Sequence, residues 1–281
     1  MHAITVRPTD TTDSKGRHRP GPECIEWTEV PTPQPGPGEA LVKVTAAGIN
    51  RGDLLQRQGL YPPPKGVSDT MGLEVTGTVS ALGPGVDWSE GDEVVALLAG
   101  GGYAEYVIVP AGQLLPIPDG IDPVTASTLI EVAATVISNM DHVGLAKGET
   151  FLVHGGAGGI GQFAIQYAKS LGCTVITTCG TAEKQEFCRA LGADVVLNYH
   201  DDWVGGVKDA TEGRGADVIL DVMGAKYLGL NVDALATGGR LDIIGMQGGV
   251  RGELNIGKLL NKRALVLSLI HISEPTRPER I

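Results

Sequence analysis

The sequence predicts an α/β chain in two parts: a small β-barrel-like domain, then a doubly wound parallel sheet. Two observations carry this prediction. Up to about Pro118 the chain is cut into short apolar runs by glycine and proline, whereas from about Thr150 strands alternate with helical segments. A glycine-rich turn also stands where the first strand of the second part meets its first helix. The length of 281 residues suits about two domains.

In the first part, Ala40–Thr45 is β-branched and loosely alternating, which reads as a strand. Leu73–Ser80, Asp92–Leu98 and Tyr103–Val109 read the same way. Gly36-Pro37-Gly38, Gly83-Pro84-Gly85 and Gly100-Gly101-Gly102 supply turns between them. Residues 9–20 are polar and read as a surface loop. In the second part Thr150–His154 is a short apolar strand. Ile160, Ala164, Tyr167, Ala168 and Leu171 then fall on one helical face, and Gly172 is placed to end that helix. Thr174–Thr178 is the next strand and Ala182–Leu191 the next helix, closed by Gly192. Val195–Leu197, Asp217–Asp221 and Arg240–Ile244 continue the strands. Such alternation predicts right-handed crossovers and helices on both faces of the sheet.

The turn reads Gly155-Gly156-Ala157-Gly158-Gly159-Ile160-Gly161. Gly156, Gly158 and Gly161 match G-x-G-x-x-G, a weak pattern alone but specific between a strand and a helix. One glycine makes the turn, one lets the backbone approach a pyrophosphate, and one lets helix and strand pack closely. With Gly159 and Ile160 they form a helix N-terminus whose free N–H groups favour phosphate. The alternative is a purely structural turn. An NAD site commonly places a carboxylate about 20 residues on, at the tip of the second strand. Here the tip reads Thr178-Cys179-Gly180-Thr181-Ala182, with no carboxylate, and Lys184 follows. A lysine attracts a 2′-phosphate, so the expected cofactor is NADPH. Glu183 is the counter-argument, since it can reach a 2′-hydroxyl.

Composition narrows the functional classes. The 41 glycines lack a G-X-Y repeat, which excludes collagen, and 42% hydrophobic residues argue against disorder. A net charge of −11 lowers the weight of nucleic-acid binding, so no nucleic-acid partner is expected. No apolar run is long enough for a membrane span. The cysteines at 24, 173, 179 and 188 form no C-x-x-C pair and read as small buried thiols of a reducing cytoplasm.

Several motifs carry a family resemblance. They are Ala47-Gly-Ile-Asn50-Arg-Gly-Asp53, Arg57-Gln-Gly59-Leu-Tyr61-Pro-Pro-Pro64, Gly72-Leu-Glu-Val-Thr-Gly77, the glycine turn with Val153 and His154, and Asn198-Tyr199. With them the chain resembles the medium-chain dehydrogenase/reductases, and within these the zeta-crystallin-type NADPH:quinone oxidoreductases. The resemblance implies a GroES-like catalytic domain over 1–125, a Rossmann NADP-binding domain over 126–266, and a homodimer. It implies that Asn50 and Asp53 lie beside the nicotinamide and that Tyr61 lines the substrate site. It places Thr135 and the loop Gly245-Met246-Gln247 near the nicotinamide, and Tyr199 with Gly180 and Lys184 at the 2′-phosphate. The implied reaction is hydride transfer from NADPH to a quinone or related conjugated carbonyl. Alternatives are an enoyl or alkenal reductase of the same superfamily and a non-catalytic NADPH-binding sensor.

Zinc-dependent members of that superfamily carry cysteine where this chain has Asn50 and histidine where it has Leu73. Leucine cannot ligate zinc and asparagine does so poorly, so no metal is expected. From Leu267 to Arg277 the sequence reads like a translated sequencing adapter. The expectation is therefore an artefactual tail over 267–281 and a catalytic domain lacking its returning C-terminal segment.

Overall fold

The computed structural model describes residues 1–7 and 19–268. Most of the loop expected over 9–20, and all but the start of the expected tail, lie outside the described residues. The chain divides into two compact units, Met1–Glu131 and a second beginning at Val132.

In the first unit β1 (His2–Val6) pairs antiparallel with β2 (Ile25–Glu29). β3 (Glu39–Ala47) is followed by a short helix, α1 (Arg51–Arg57). Then come β4 (Glu74–Leu82), β5 (Glu93–Leu97), β6 (Tyr106–Pro110), β7 (Leu114–Pro116) and the single turn α2 (Pro123–Ala126). β3 to β7 form a five-stranded antiparallel sheet in the order β6-β3-β4-β5-β7. Val42, Val75, Val79, Val94, Val107 and Val109 fill its core, and their β-branched side chains suit a pleated, buried face. The strand expected from Tyr103 starts only at Tyr106. The backbone before it is committed elsewhere: Ile4 N–H donates to Tyr103 O (2.7 Å) and Glu105 N–H to His2 O (3.0 Å).

α3 (Ile130–Val143) leads into the second unit. There β8 (Thr150–His154), α4 (Gly159–Ser170), β9 (Thr174–Cys179), α5 (Ala182–Ala190), β10 (Val195–Asn198) and α6 (Trp203–Ala210) alternate. β11 (Ala216–Asp221), α7 (Leu228–Ala234), β12 (Leu235–Ile243), α8 (Ile256–Lys262) and β13 (Leu265–Leu267) complete the pattern. All six strands are parallel, in the order β10-β9-β8-β11-β12-β13. The strand order reverses between β8 and β11, and the carboxyl ends at such a switch point are where ligands bind in open α/β sheets.

Both faces of this sheet are covered, which explains the unbroken apolar run of β8. Phe151 and Val153 pack with Val136, Ala164 and Ile165 on one side, while Leu152 packs with Val207 and Leu235 on the other. Helix α4 ends where the sequence expected, with Gly172 at φ +79°. The fold is the one expected, a GroES-like domain joined to a Rossmann-type parallel sheet.

One buried group opposes this packing. Asp242 on β12 is fully buried, and neither carboxylate oxygen has a hydrogen-bond partner among the described residues. Burial pushes its pKa up to about 6, with the His142 imidazole pulling it partway back. The folded chain therefore binds more protons here than the unfolded chain between about pH 4 and 6. Stability falls as pH rises through that window, and the penalty is complete above it. Asp242→Val should raise the melting temperature at pH 8, by an amount equivalent to about 2 kcal/mol. The gain should shrink toward pH 4 in thermal scans; a pH-independent gain would remove the carboxylate as its cause.

Candidate functional site

The candidate residues of the first unit gather at the start of α1. Asn50 is the N-cap, extended at φ −116° and ψ 160°, and Asp53 occupies the third helical position. Asp53 Oδ2 accepts the Asn50 N–H at 2.6 Å and the Tyr103 hydroxyl at 2.7 Å. The aspartate therefore fixes the turn that presents Asn50. The Asn50 side chain is itself held, because its Nδ2 donates to Glu74 Oε1 at 2.8 Å. Glu74 Oε2 accepts the Glu131 N–H at 3.0 Å. One N–H of the amide is thus committed to Glu74, and the second makes no further hydrogen bond among the described residues.

This corner is buried and acidic. Burial raises the Asp53 pKa, opposed by the Asn50 N–H and the Tyr103 hydroxyl. Burial also raises Glu74, opposed by the Glu131 N–H and the Asn50 amide. Tyr61 lies half-buried beyond α1, and burial with the nearby Glu131 charge raises its pKa as well. Its hydroxyl is therefore a neutral donor at neutral pH. Glu74 and Tyr103 were missed as supports of this corner. Tyr103 follows three glycines, and nothing in that local pattern says that its ring reaches Asp53.

In the second unit the glycine turn joins β8 to α4 as expected. Gly158 is the N-cap of α4 and offers no side-chain cap. The N–H groups of the first turn, from Gly159 to Gly161, have no carbonyl one turn earlier to bond within the helix. They are left for an anion, and the helix dipole points the same way. A Cβ on Gly156 would overlap the Thr177 hydroxyl and come within 2.9 Å of Cys188 Sγ. One on Gly161 would sit 2.5 Å from Gly155 O and Gly156 Cα. Ile160 and Gly159 belong to this first turn, and Gly159 lies against Val132 of α3. One turn further along α3, the Thr135 hydroxyl is buried and has no partner among the described residues. A buried hydroxyl without a partner is unusual, and a ligand group would satisfy it.

At the tips of β9 and β10 the structure brings Gly180 and Tyr199 together: a Cβ on Gly180 would collide with the Tyr199 hydroxyl. Thr181 caps α5 by accepting the Lys184 N–H at 3.3 Å. Lys184 and Tyr199 are both exposed. Gly245 and Gln247 belong to a loop stacked on the turn after β11, where Gln247 N–H donates to Val222 O at 3.3 Å. Met246 in the same loop is 64% exposed. The uncapped first turn of α4 and the unpartnered Thr135 hydroxyl fit a dinucleotide.

Zinc does not fit. Leu73 is buried and has no donor atom, and Asn50 offers only an amide oxygen, a poor zinc ligand. Among the described residues no group of three His, Cys, Asp or Glu side chains could hold a metal ion.

Comparison with known proteins supports these assignments of fold. Residues 36–119 match the family described as alcohol dehydrogenase GroES-like domain, and residues 159–279 match zinc-binding dehydrogenase. The chain is 37% identical to prostaglandin reductase-3 of Bos taurus over 248 residues, 85% of this chain. It spans 66% of that relative's length, just under two thirds. A quinone oxidoreductase of Pseudomonas aeruginosa is 33% identical, over 91% of this chain and 78% of the relative. Among solved structures, quinone oxidoreductase of Escherichia coli complexed with NADPH superposes with a TM-score of 0.84 at 30% identity. That match covers 96% of this chain and 81% of the other. The two-part fold, the glycine turn on a parallel sheet and sequence identity across most of the chain lead to one conclusion: this protein belongs to the medium-chain dehydrogenase/reductase superfamily.

Proposed function

We propose that this chain is a zinc-independent oxidoreductase that transfers a hydride from NADPH to a quinone or related conjugated carbonyl. The observation that carries the cofactor half is the uncapped N-terminus of α4, whose turn is held tight by Gly156 and Gly161, where any Cβ would collide with the turn or with β9 and α5. Gly156, Gly158, Gly159, Ile160 and Gly161 receive that group, and Gly180, Lys184 and Tyr199 receive the 2′-phosphate. Thr135 and Gly245-Met246-Gln247 contact the nicotinamide end. NADPH, when bound, supplies the hydride, and the protein supplies orientation and electrostatics.

The chain's own residues do the rest. The second N–H of Asn50 holds a substrate oxygen or the carboxamide. Asp53 and Glu74 fix that amide in place through their hydrogen bonds to its backbone and side chain. The Tyr61 hydroxyl, neutral like any phenol at this pH and pushed further from ionisation by burial, donates to an acceptor oxygen. With no ionisable group assigned as acid, solvent supplies the proton. The likeness to the Pseudomonas aeruginosa quinone oxidoreductase supports the quinone reading. The likeness to prostaglandin reductase-3 favours a second one, hydride addition to the β-carbon of an enone or enal. A homodimer and a cytoplasmic location go with either reading, the latter supported by four cysteines that are all free thiols. No helix among the described residues is long and apolar enough to cross a membrane.

NADPH oxidation measured against a quinone, an enal and an enoyl thioester tests the proposal. Turnover of the quinone alone supports the first reading, turnover of the enal or thioester the second, and binding without turnover a sensor. Asn50→Ala should lower kcat by roughly 10- to 100-fold, with a smaller change in NADPH affinity, because one oriented donor to a reacting oxygen is lost. Unchanged quinone reduction by that variant would remove Asn50 from the mechanism.

A further inference from the structure

β8 reads Thr-Phe-Leu-Val-His, and the histidine that ends it is almost fully buried. His154 Nε2 lies 2.7 Å from Asn231 Oδ1 on α7, and Nδ1 lies 3.0 Å from the Thr178 hydroxyl on β9. The ring stands edge-on to Trp203 and Tyr227, each at a centroid distance of 4.8 Å. Burial lowers its pKa to about 4, so the ring is neutral at neutral pH. An amide oxygen only accepts, so Nε2 carries the hydrogen and Nδ1 accepts from Thr178. Thr178 thereby spends its hydrogen on His154 and turns a lone pair toward the Gly155 N–H, 3.4 Å away. The Thr178 backbone oxygen also accepts the N–H groups of Gly155 and Gly156, at 3.0 and 3.1 Å.

Asp221 lies beyond Asn231 without a hydrogen bond to it. Asn231 Nδ2 makes no hydrogen bond of ordinary length among the described residues, yet the amide draws the Asp221 pKa down against the larger effect of burial. Asp221 is fully buried and accepts the N–H groups of Met223 and Gly224, at 2.6 and 3.0 Å. That turn carries the loop at 245–249: Gly248 N–H donates to Met223 O (2.7 Å), and Ala225 N–H donates to Gly249 O (3.1 Å). The hydrogen-bonded line of side chains thus runs from the glycine turn through Thr178 and His154 to Asn231 and ends there, since Asn231 Nδ2 has no partner among the described residues.

We propose that His154, with Thr178 and Asn231, is a positioning residue that holds the glycine turn in place for the pyrophosphate of a dinucleotide. This rests on the NADPH reading given above. None of the three need touch the ligand. They act by fixing backbone that does, and they do not bear on the 2′-phosphate end at Gly180, Lys184 and Tyr199.

Ligand titrations of the full chain test this with two probes, NADPH and adenosine 2′-monophosphate, which lacks the pyrophosphate and nicotinamide. His154→Phe and Thr178→Val should each raise the NADPH Kd about tenfold, as expected for one buried hydrogen bond lost. Thr178→Ser, which keeps the hydroxyl, should stay near wild type, and the adenosine 2′-monophosphate Kd should hold in all three. Unchanged NADPH binding in both disruptive variants overturns the proposal. So does an equal loss of both ligands, which marks a general structural role. Should the variants not fold, nitrogen-15 NMR of the wild-type imidazole decides: a neutral Nε2–H tautomer from pH 8 to 5 supports the network, and the Nδ1–H tautomer overturns it. A folded wild-type chain that binds no NADPH sinks the dinucleotide reading itself, and the positioning role with it.

Discussion

Gly161→Ala is expected to abolish measurable NADPH binding while leaving a folded, less stable chain. The added Cβ would lie 2.5 Å from Gly155 O and from Gly156 Cα, both backbone atoms of the turn it faces. Neither can swing aside as a side chain would, so the turn or the helix must move. Either movement draws the first-turn N–H groups off the pyrophosphate. Two charge-assisted hydrogen bonds, each worth at least about 1.5 kcal/mol, amount to a loss of 100-fold or more. NADPH fluorescence titration beside a thermal melt measures both effects. Binding within a few-fold of wild type would show that helix and turn do not need that contact, and the α4 N-terminus would lose its claim as the phosphate site.

The same glycine shows why the second unit was readable from sequence. Its strands are buried on both faces, so they appear as apolar runs such as Thr150–His154, and α4 and α5 each end just before a glycine, Gly172 and Gly192. Both patterns are local. The first unit was harder. β1 and β2 form a short pair with few buried positions, and α1 has only seven residues, too few for helical periodicity to register. Tyr103–Glu105 looks like strand in sequence but hydrogen-bonds to β1, a pairing set by residues about a hundred positions away.

The candidate residues divide in a similar way. Gly156, Gly158 and Gly161 announce their role because only glycine serves a tight approach at that spacing. The resemblance implies that Asn50 and Asp53 form a reactive corner, and the structure shows them as N-cap and third position of α1. The two do not compete. The capping hydrogen bonds are what hold the Asn50 amide still, with Glu74 and Tyr103 completing the set. Glu74 and Tyr103 are far from Asn50 along the chain, so no local motif reveals them. His154 did leave a signal, since a polar residue closing an otherwise apolar strand needs a buried partner.

Lys184→Glu should reverse the cofactor preference. Lys184 sits in the first turn of α5, three residues beyond the Thr181 cap and after the strand tip where the Tyr199 hydroxyl packs over Gly180. It is the one basic residue in the 178–184 segment, where Glu183 is the only acid. A lysine ammonium on a 2′-phosphate makes a charge-assisted hydrogen bond worth about 1.5–3 kcal/mol, or roughly 10- to 100-fold in affinity. The substitution removes that bond and sets a second carboxylate against a dianion, so the NADPH Kd should rise by at least that factor. NADH carries a hydroxyl in place of the phosphate and should bind equally well or somewhat better, because a carboxylate can accept from it. Titrating both cofactors against wild type and variant separates the effects, and the difference should shrink as salt is raised, because the site is exposed. Tighter NADH than NADPH binding in the wild-type chain would overturn the assignment and give the ribose contact to Glu183. Equal loss of both cofactors in the variant would place Lys184 in the support of α5 and not at the phosphate.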